Sequence, residues 1–237
     1  MHDSLPQQAY DELADAYNAR IETKPHNAYY DRPAVQSLIT DLSGKKILDA
    51  GCGPGIYTQW LLQNGASVTA LDANERMLEH ARKRNGAKAI FLHANLEEPL
   101  FFLSDALFDG IVSALTITYC KDLVFVFKEF SRVLKPNGWF VFSTEHPFFS
   151  YRYHDLGNYF PTQEVSCMWN GFGKPVMMKS YYHSLGTITD ALTNNGFAIE
   201  RVLEPLPTND FAKVDSKGYN KLLAFPLFIC IRAVKKT

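Results

Sequence analysis

The chain is an α/β protein whose strands form a largely parallel sheet, and three features of its 237 residues predict this. Short apolar runs alternate with helical patterns from Lys45 to Thr144, which specifies parallel strands covered by helices. A glycine-rich turn, Gly51-Cys52-Gly53-Pro54-Gly55, joins the first of those runs to the helix that follows it. The length suits one domain with a full core.

Taken in order, apolar Leu13, Ala16, Tyr17 and Ile21 recur at helical spacing over Gln7–Glu22, and a second helix is predicted over Arg32–Leu42, with Pro33 suited to its first turn. The alternating core follows: strand Lys45–Ala50, helix Gly55–Gln63, strand Ser67–Leu71, helix Glu75–Lys83 and strand Ala89–His93. It continues as strand Phe108–Ala114, helix Leu123–Leu134 and strand Trp139–Thr144. Leu123, Phe127, Phe130 and Leu134 share one helical face, which reads as core packing before the turn Lys135-Pro136-Asn137-Gly138. From Glu145 to Ser180 no periodic element is evident, and a segment so rich in aromatics and turn formers reads as a substrate-side loop. A helix over Leu185–Thr193, stopped by Asn194-Asn195-Gly196, leads to strands Phe197–Leu203 and Leu223–Val234. The expected organisation is one domain over 1–237, with a helical cap at 1–43 and a lid at 145–184.

Composition narrows the partners. With 24 Lys and Arg against 25 Asp and Glu, and no basic run except Lys235-Lys236, the chain lacks the basic face that grips a phosphate backbone. The four cysteines, Cys52, Cys120, Cys167 and Cys230, form no CxxC pair and read as reduced thiols. No stretch approaches the ~20 apolar residues that span a bilayer, and Met1-His2-Asp3-Ser4-Leu5-Pro6 lacks the pattern of a secretory signal. The expectation is a cytoplasmic protein with no membrane or nucleic-acid partner.

The chemistry is concentrated in Ile47-Leu48-Asp49-Ala50-Gly51-Cys52-Gly53-Pro54-Gly55, a buried strand entering a turn that lets backbone approach a nucleotide-like ligand closely. A glycine turn alone is shared by dinucleotide enzymes, phosphate loops and plain turns. Here the spacing is wrong for a GxGxxG fingerprint, which calls for a glycine near Ile56 or Tyr57. Asp72 ends the second strand, in Leu71-Asp72-Ala73-Asn74, where a carboxylate accepts hydrogen bonds from both ribose hydroxyls and repels a 2′-phosphate.

ILDAGCGPG, LDAN, FDGIVSALTITY and EFSRVLKPNGWFVFSTEHP, in this order and spacing, resemble the class I S-adenosylmethionine (SAM)-dependent methyltransferases over Tyr10–Val234. Within them the chain is most similar to the small-molecule branch that includes the ubiquinone- and menaquinone-biosynthetic type. The resemblance implies a Rossmann-like seven-stranded sheet of order 3-2-1-4-5-7-6 with the last strand antiparallel. It also implies SAM as cofactor. Asp49 would then orient the amino group of the methionine part, Gly51 and Gly53 would pass beneath the cofactor, and Asp72 would hold the ribose. Ala73 and Met77 would lie by the adenine, Asn95 and Leu96 would border it, and Ala114 and Leu115 would face the sulfonium. Asn95 departs from the family's usual aspartate; an amide oxygen still accepts the adenine amino group's hydrogen bond, without the charge.

Cys52 reads as a small buried turn residue rather than a nucleophile. His146 follows the fifth strand at the ligand-binding edge and is held extended by Pro147; it reads as a base for an acceptor hydroxyl or as a hydrogen-bond partner of the lid. His154 and His183 are weaker candidates, and without an HxxxH spacing no metal is expected. Phe148, Phe149, Tyr151, Tyr153, Tyr159, Phe160, Trp169, Phe172, Tyr181 and Tyr182 read singly as packing and together as an apolar pocket. Tyr10, Tyr17, Tyr30 and Arg32 belong to the segment expected to close over the cofactor, and Tyr119 and His146 are the acceptor-side candidates.

Methyl transfer from a sulfonium is an in-line displacement, so alignment and exclusion of water carry most of the catalysis. The expected reaction is methylation of a small apolar or aromatic acceptor. Its competitor is a SAM-binding regulatory protein without turnover. A protein or nucleic-acid acceptor is disfavoured because Ala114-Leu115-Thr116-Ile117-Thr118-Tyr119 stands where an Asn/Asp-Pro-Pro-Tyr motif would be.

Overall fold

A computed structural model describes residues 5–237, so Met1–Ser4, part of the predicted cap and of the predicted leaderless start, lie outside the described residues. The sheet runs from β1 (Lys46–Ala50) through β2 (Ser67–Asp72), β3 (Ala89–His93), β4 (Phe108–Ala114) and β5 (Leu134–Glu145) to β8 (Phe197–Leu203) and β9 (Phe228–Lys235). Its spatial order is β3-β2-β1-β4-β5-β9-β8, and β9 is antiparallel to both β5 and β8. This is the predicted order, with the last strand in the chain reversed.

Both faces of the sheet are buried, as a parallel sheet requires. On one, Leu48, Ile111, Phe140 and Phe142 pack against Phe127 and Phe130 of α5 (Leu123–Val133) and Leu192 of α7 (Leu185–Asn194). On the other, Ile47, Val68, Val112 and Val141 meet Val35 of α2 (Arg32–Ser37), Leu61 of α3 (Ile56–Gln63) and Leu78 of α4 (Glu75–Asn85). Side chains cap the starts of three of these helices: Asn74 accepts Met77 N–H, Asp122 accepts Phe125 N–H and Ser184 accepts Thr187 N–H. Each such cap contributes about 1 kcal/mol.

Three stretches differ from expectation. The segment read as an irregular loop contains α6 (Pro147–Tyr153) and a hairpin of β6 (Gln163–Trp169) with β7 (Val176–Tyr182), outside the main sheet. Val165 pairs with Ser180 and Trp169 with Val176, and buried and exposed positions largely alternate. Leu223 lies not in a strand but in α9 (Ser216–Ala224), which follows α8 (Asn209–Val214) and starts at Asp215, whose carboxylate accepts Gly218 N–H at 2.8 Å. The strand begins only after Pro226, which has no N–H to give a ladder. Between α1 (Gln7–Arg20) and α2 the chain makes a π turn, Asn27–Asp31, that turns Asp31 inward. No helix among the described residues is long and apolar enough to cross a membrane.

Candidate functional site

The glycine turn is pinned to the end of β2: the N–H groups of Gly51 and Cys52 both donate to Leu71 O at 2.8 Å. Gly51 has φ +80°, and a Cβ there would collide with the Thr116 side chain; only glycine fits this close approach. Gly53, at φ +52°, has nothing within 4 Å of where a Cβ would stand, so the turn presents bare backbone. Asp72 locks the turn from the next strand. Its Oδ2 accepts Gly53 N–H at 2.7 Å and its Oδ1 accepts Asn74 N–H at 2.9 Å. A carboxylate has about four lone-pair positions, so each oxygen retains capacity toward the cleft. Burial raises the Asp72 carboxyl, and these backbone N–H groups oppose the rise.

Above the turn lies a cavity of about 490 Å³, within the usual range for a small-molecule site. Gly51, Gly53, Asp72, Ala73, Met77, Asn95, Leu96, Ala114 and Leu115, all expected at the cofactor, line it. Asn95 is fixed by its Oδ1 accepting Glu97 N–H at 3.0 Å. The rest of the lining, the chamber side, includes Tyr119, Glu145, Trp169 and Phe172.

Its roof is α1 joined to the hairpin turn. The Arg20 guanidinium donates to Gly171 O at 2.7 Å, Lys174 pairs with Glu12 at 2.7 Å, and the Tyr17 and Phe172 rings lie 5.1 Å apart. The Asn74 amide donates to Asp11 at 2.7 Å and ties α1 back to the end of β2. Lys24 stands over the Phe172 ring at 3.8 Å; burial lowers its ammonium to about 8. The Tyr10 and Tyr119 hydroxyls are hydrogen-bonded at 2.9 Å, and burial pushes both far above the usual phenol range. At neutral pH they are donors, not bases. Burial also raises Glu145, against the effect of a hydrogen bond with Ser150.

Asp49 and His146 do not line the cavity. Asp49 is 2% exposed beneath the turn, its Oδ2 accepting the Thr58 hydroxyl at 2.6 Å, and burial pushes it up to about 7. It supports the loop from below rather than facing a ligand. His146, 3% exposed, starts α6: its Nδ1 accepts Phe148 N–H at 3.2 Å, and its Nε2 lies 3.0 Å from Glu204 Oε1. That leaves Nε2–H as donor and both ring nitrogens engaged, so the imidazole is a helix cap and not a base facing the chamber. Tyr30 is likewise turned away, its hydroxyl accepting Leu227 N–H at 3.0 Å. His183 is held between Thr162 and Cys120 O. Of the aromatic series only Trp169 and Phe172 reach the cavity; Phe148 stacks on Tyr159 and Phe149 on Tyr153 instead.

Sequence reasoning missed Lys24, Asp31, Glu145 and Thr116, which line the cavity; the first two lie outside the motifs, and the other two stand within motif stretches where they were not singled out. For Glu145 a signal existed, since it ends β5 at the edge where open α/β sheets bind ligands.

Glycine turn, an acid at the end of the second strand and seven-stranded order define the class I methyltransferase architecture. The methyltransferase-domain family matches residues 48–142. A malonyl-acyl-carrier protein O-methyltransferase of Erwinia pyrifoliae is 34% identical over 146 residues, 60% of this chain and 55% of the relative, so the match spans about half that protein's length. Among solved structures, a chain from Listeria monocytogenes superposes with TM-score 0.74 at 25% identity, over 87% of this chain and 97% of its own. A SAM-dependent methyltransferase from Mesorhizobium loti does so with TM-score 0.71 at 25% identity, over 91% and 100%. Residues 48–142 match a methyltransferase domain and the fold is that of the class I SAM-dependent methyltransferases, a group whose cofactor is SAM.

The cleft fits that group. A bare-backbone turn, a carboxylate with spare acceptor capacity, and apolar Ala73, Met77 and Leu96 along one stretch of wall suit an adenosine.

Proposed function

We propose that the protein transfers a methyl group from SAM to a small acceptor with an apolar or aromatic body. The observation that carries this is the continuity of one cavity from the glycine turn and Asp72 to the chamber of Tyr119, Trp169 and Phe172. When bound, SAM supplies an electrophilic methyl group on sulfur. Gly51, Gly53 and Asp72 hold it, Asn95 and Leu96 border the adenine, and Ala114 and Leu115 flank the reacting end. The hairpin and α1 exclude water, which favours an in-line displacement between aligned partners. Tyr119, tied to Tyr10, positions the acceptor by donating a hydrogen bond.

Lys24 favours a second acceptor class. No carboxylate pairs with this half-buried ammonium among the described residues, and it borders the chamber. An acidic acceptor would be held there and, as a carboxylate, would need no base. The acyl-carrier O-methyltransferases among the relatives lend this reading support.

The test is a thermal-shift comparison with SAM, S-adenosylhomocysteine and NAD, followed by a turnover screen of phenols, amines and carboxylic acids. At about 100 times its dissociation constant a ligand stabilises the native state by ~2.7 kcal/mol, a shift of a few degrees. Shifts with the two adenosyl ligands and formation of a methylated product support the proposal. Shifts without product across the screen favour the SAM-binding regulatory reading, and no shift removes both.

A further inference from the structure

The motif acid expected at the cofactor's amino group, Asp49, is sealed under the turn by Thr58. A different carboxylate occupies the wall. Asp31, at the end of the π turn, is 2% exposed and lines the same cavity as Cys52, Pro54 and Tyr57. Its Oδ2 accepts the Tyr57 hydroxyl at 2.9 Å, which ties it to the first turn of the helix that follows the glycine loop. Its Oδ1 has no hydrogen-bond partner. A buried carboxylate oxygen without a partner is costly, and such a group in a cleft calls for a ligand to complete it.

The neighbouring cation does not complete it. Arg32 also lines the cavity, but its terminal nitrogens turn away, donating to Ile21 O at 2.9 Å and Glu22 O at 3.4 Å, and its Nε has no partner. Burial raises the Asp31 carboxyl to about 6, while the nearby Ser143 and Tyr57 hydroxyls and the charge of Arg32 act in the opposite direction. The wall therefore offers a carboxylate oxygen that lacks a donor, near the Arg32 charge and tied through Tyr57 to the helix that follows the glycine turn. A charged donor suits that oxygen best, because hydrogen bonds between ionised groups are about twice as strong as neutral ones.

We propose that Asp31 receives the α-ammonium of the methionine portion of the cofactor through Oδ1, the role that the motif acid Asp49 does not fill in this fold. The proposal rests on the cofactor reading above and assigns the amino-acid end of that ligand. π turns within helical segments are frequent at functional sites, and here the turn aims Asp31.

Calorimetry separates the possibilities without any acceptor. S-adenosylhomocysteine, its deaminated analogue, and methylthioadenosine, which lacks the whole amino-acid end, are titrated into wild type and Asp31→Asn. Wild type is expected to prefer S-adenosylhomocysteine to the deaminated analogue by about tenfold or more. Asp31→Asn is expected to lose about ten- to a hundredfold for S-adenosylhomocysteine while binding methylthioadenosine within about twofold of wild type. Unchanged S-adenosylhomocysteine affinity, or equal losses for both ligands in a folded variant, overturns the assignment. Should Asp31→Asn fail to fold, equal wild-type affinity for S-adenosylhomocysteine and its deaminated analogue overturns it, and the preference stated above supports it. A wild type that binds none of the three refutes the cofactor reading itself, and this assignment falls with it.

Discussion

Replacing Asp72 by Ala separates its two tasks. The carboxylate accepts Gly53 N–H at 2.7 Å and Asn74 N–H at 2.9 Å, so its loss leaves two backbone donors to water at the cleft wall. Because water reaches that wall, the stability cost is set at the lower end for unpaired donors, about 1–2 kcal/mol in all. The ligand side is larger. Two ribose hydroxyls bonded to an ionised carboxylate are worth about 1.5–3 kcal/mol each, and such pairs are less than additive, so a loss of about 2–3 kcal/mol is expected. That corresponds to roughly 30- to 150-fold weaker S-adenosylhomocysteine binding. Urea unfolding reads the first quantity and calorimetry the second. A variant destabilised as stated but binding S-adenosylhomocysteine within about twofold of wild type would refute the ribose role and leave Asp72 as a brace for the glycine turn alone.

Three further outcomes are expected. Gly51→Ala, which forces a side chain into φ +80° and against Thr116, should cost about 2–4 kcal/mol in urea unfolding and abolish adenosyl-ligand binding; near-wild-type stability would show that the turn relaxes freely. Asp49 has its carboxyl raised to about 7, so the native state binds the extra proton and stability falls as pH rises from the unfolded value near 4 through 7. Asp49→Asn should remove about 2–3 kcal/mol of the wild-type loss between pH 5 and 8, measured by urea unfolding at the two pH values, and an unaltered slope would refute the buried-acid account. His146→Ala should lose a helix cap worth about 0.5–2 kcal/mol, whereas His146→Asn should keep both cap and turnover; a collapse of turnover in a stable Asn variant would return the imidazole to the chemistry.

The sheet was legible because each of its signals is local. Ile47-Leu48 before Gly51, Leu71 before Asp72, and Phe127 and Phe130 on one face of α5 are read within a few residues, and the glycine turn fixes where ligand and backbone meet. The hairpin β6–β7 was also written locally, in the alternation of Val165, Cys167 and Trp169 with Val176, Met178 and Tyr182 after the turn. It was hidden by apolar side chains on the outer face as well: Met168 and Met177, directly paired, are both about half exposed, which blurs a period of two.

The roof of the site is a different case, since its contacts join residues with no neighbourhood in sequence. Tyr10 meets Tyr119 across 109 positions and Arg20 meets Gly171 across 151. No periodicity encodes such pairs, and residue type misleads where packing decides. Asp49 and His146 carried the strongest chemical signals, a motif acid and a histidine at a strand's carboxyl edge, yet both are spent on the frame: one on Thr58, the other on the first turn of α6. Asp31 carried no signal because its orientation depends on a π turn, which no local periodicity marks. Motif residues thus build the floor of the cleft and supply Asp72, and residues outside any motif add the charges of Lys24 and Asp31. Specificity within a shared fold is therefore expected to reside in the cap and the hairpin, where Lys24, Asp31, Trp169 and Phe172 stand, and substitutions there should alter the choice of ligand while the sheet remains intact.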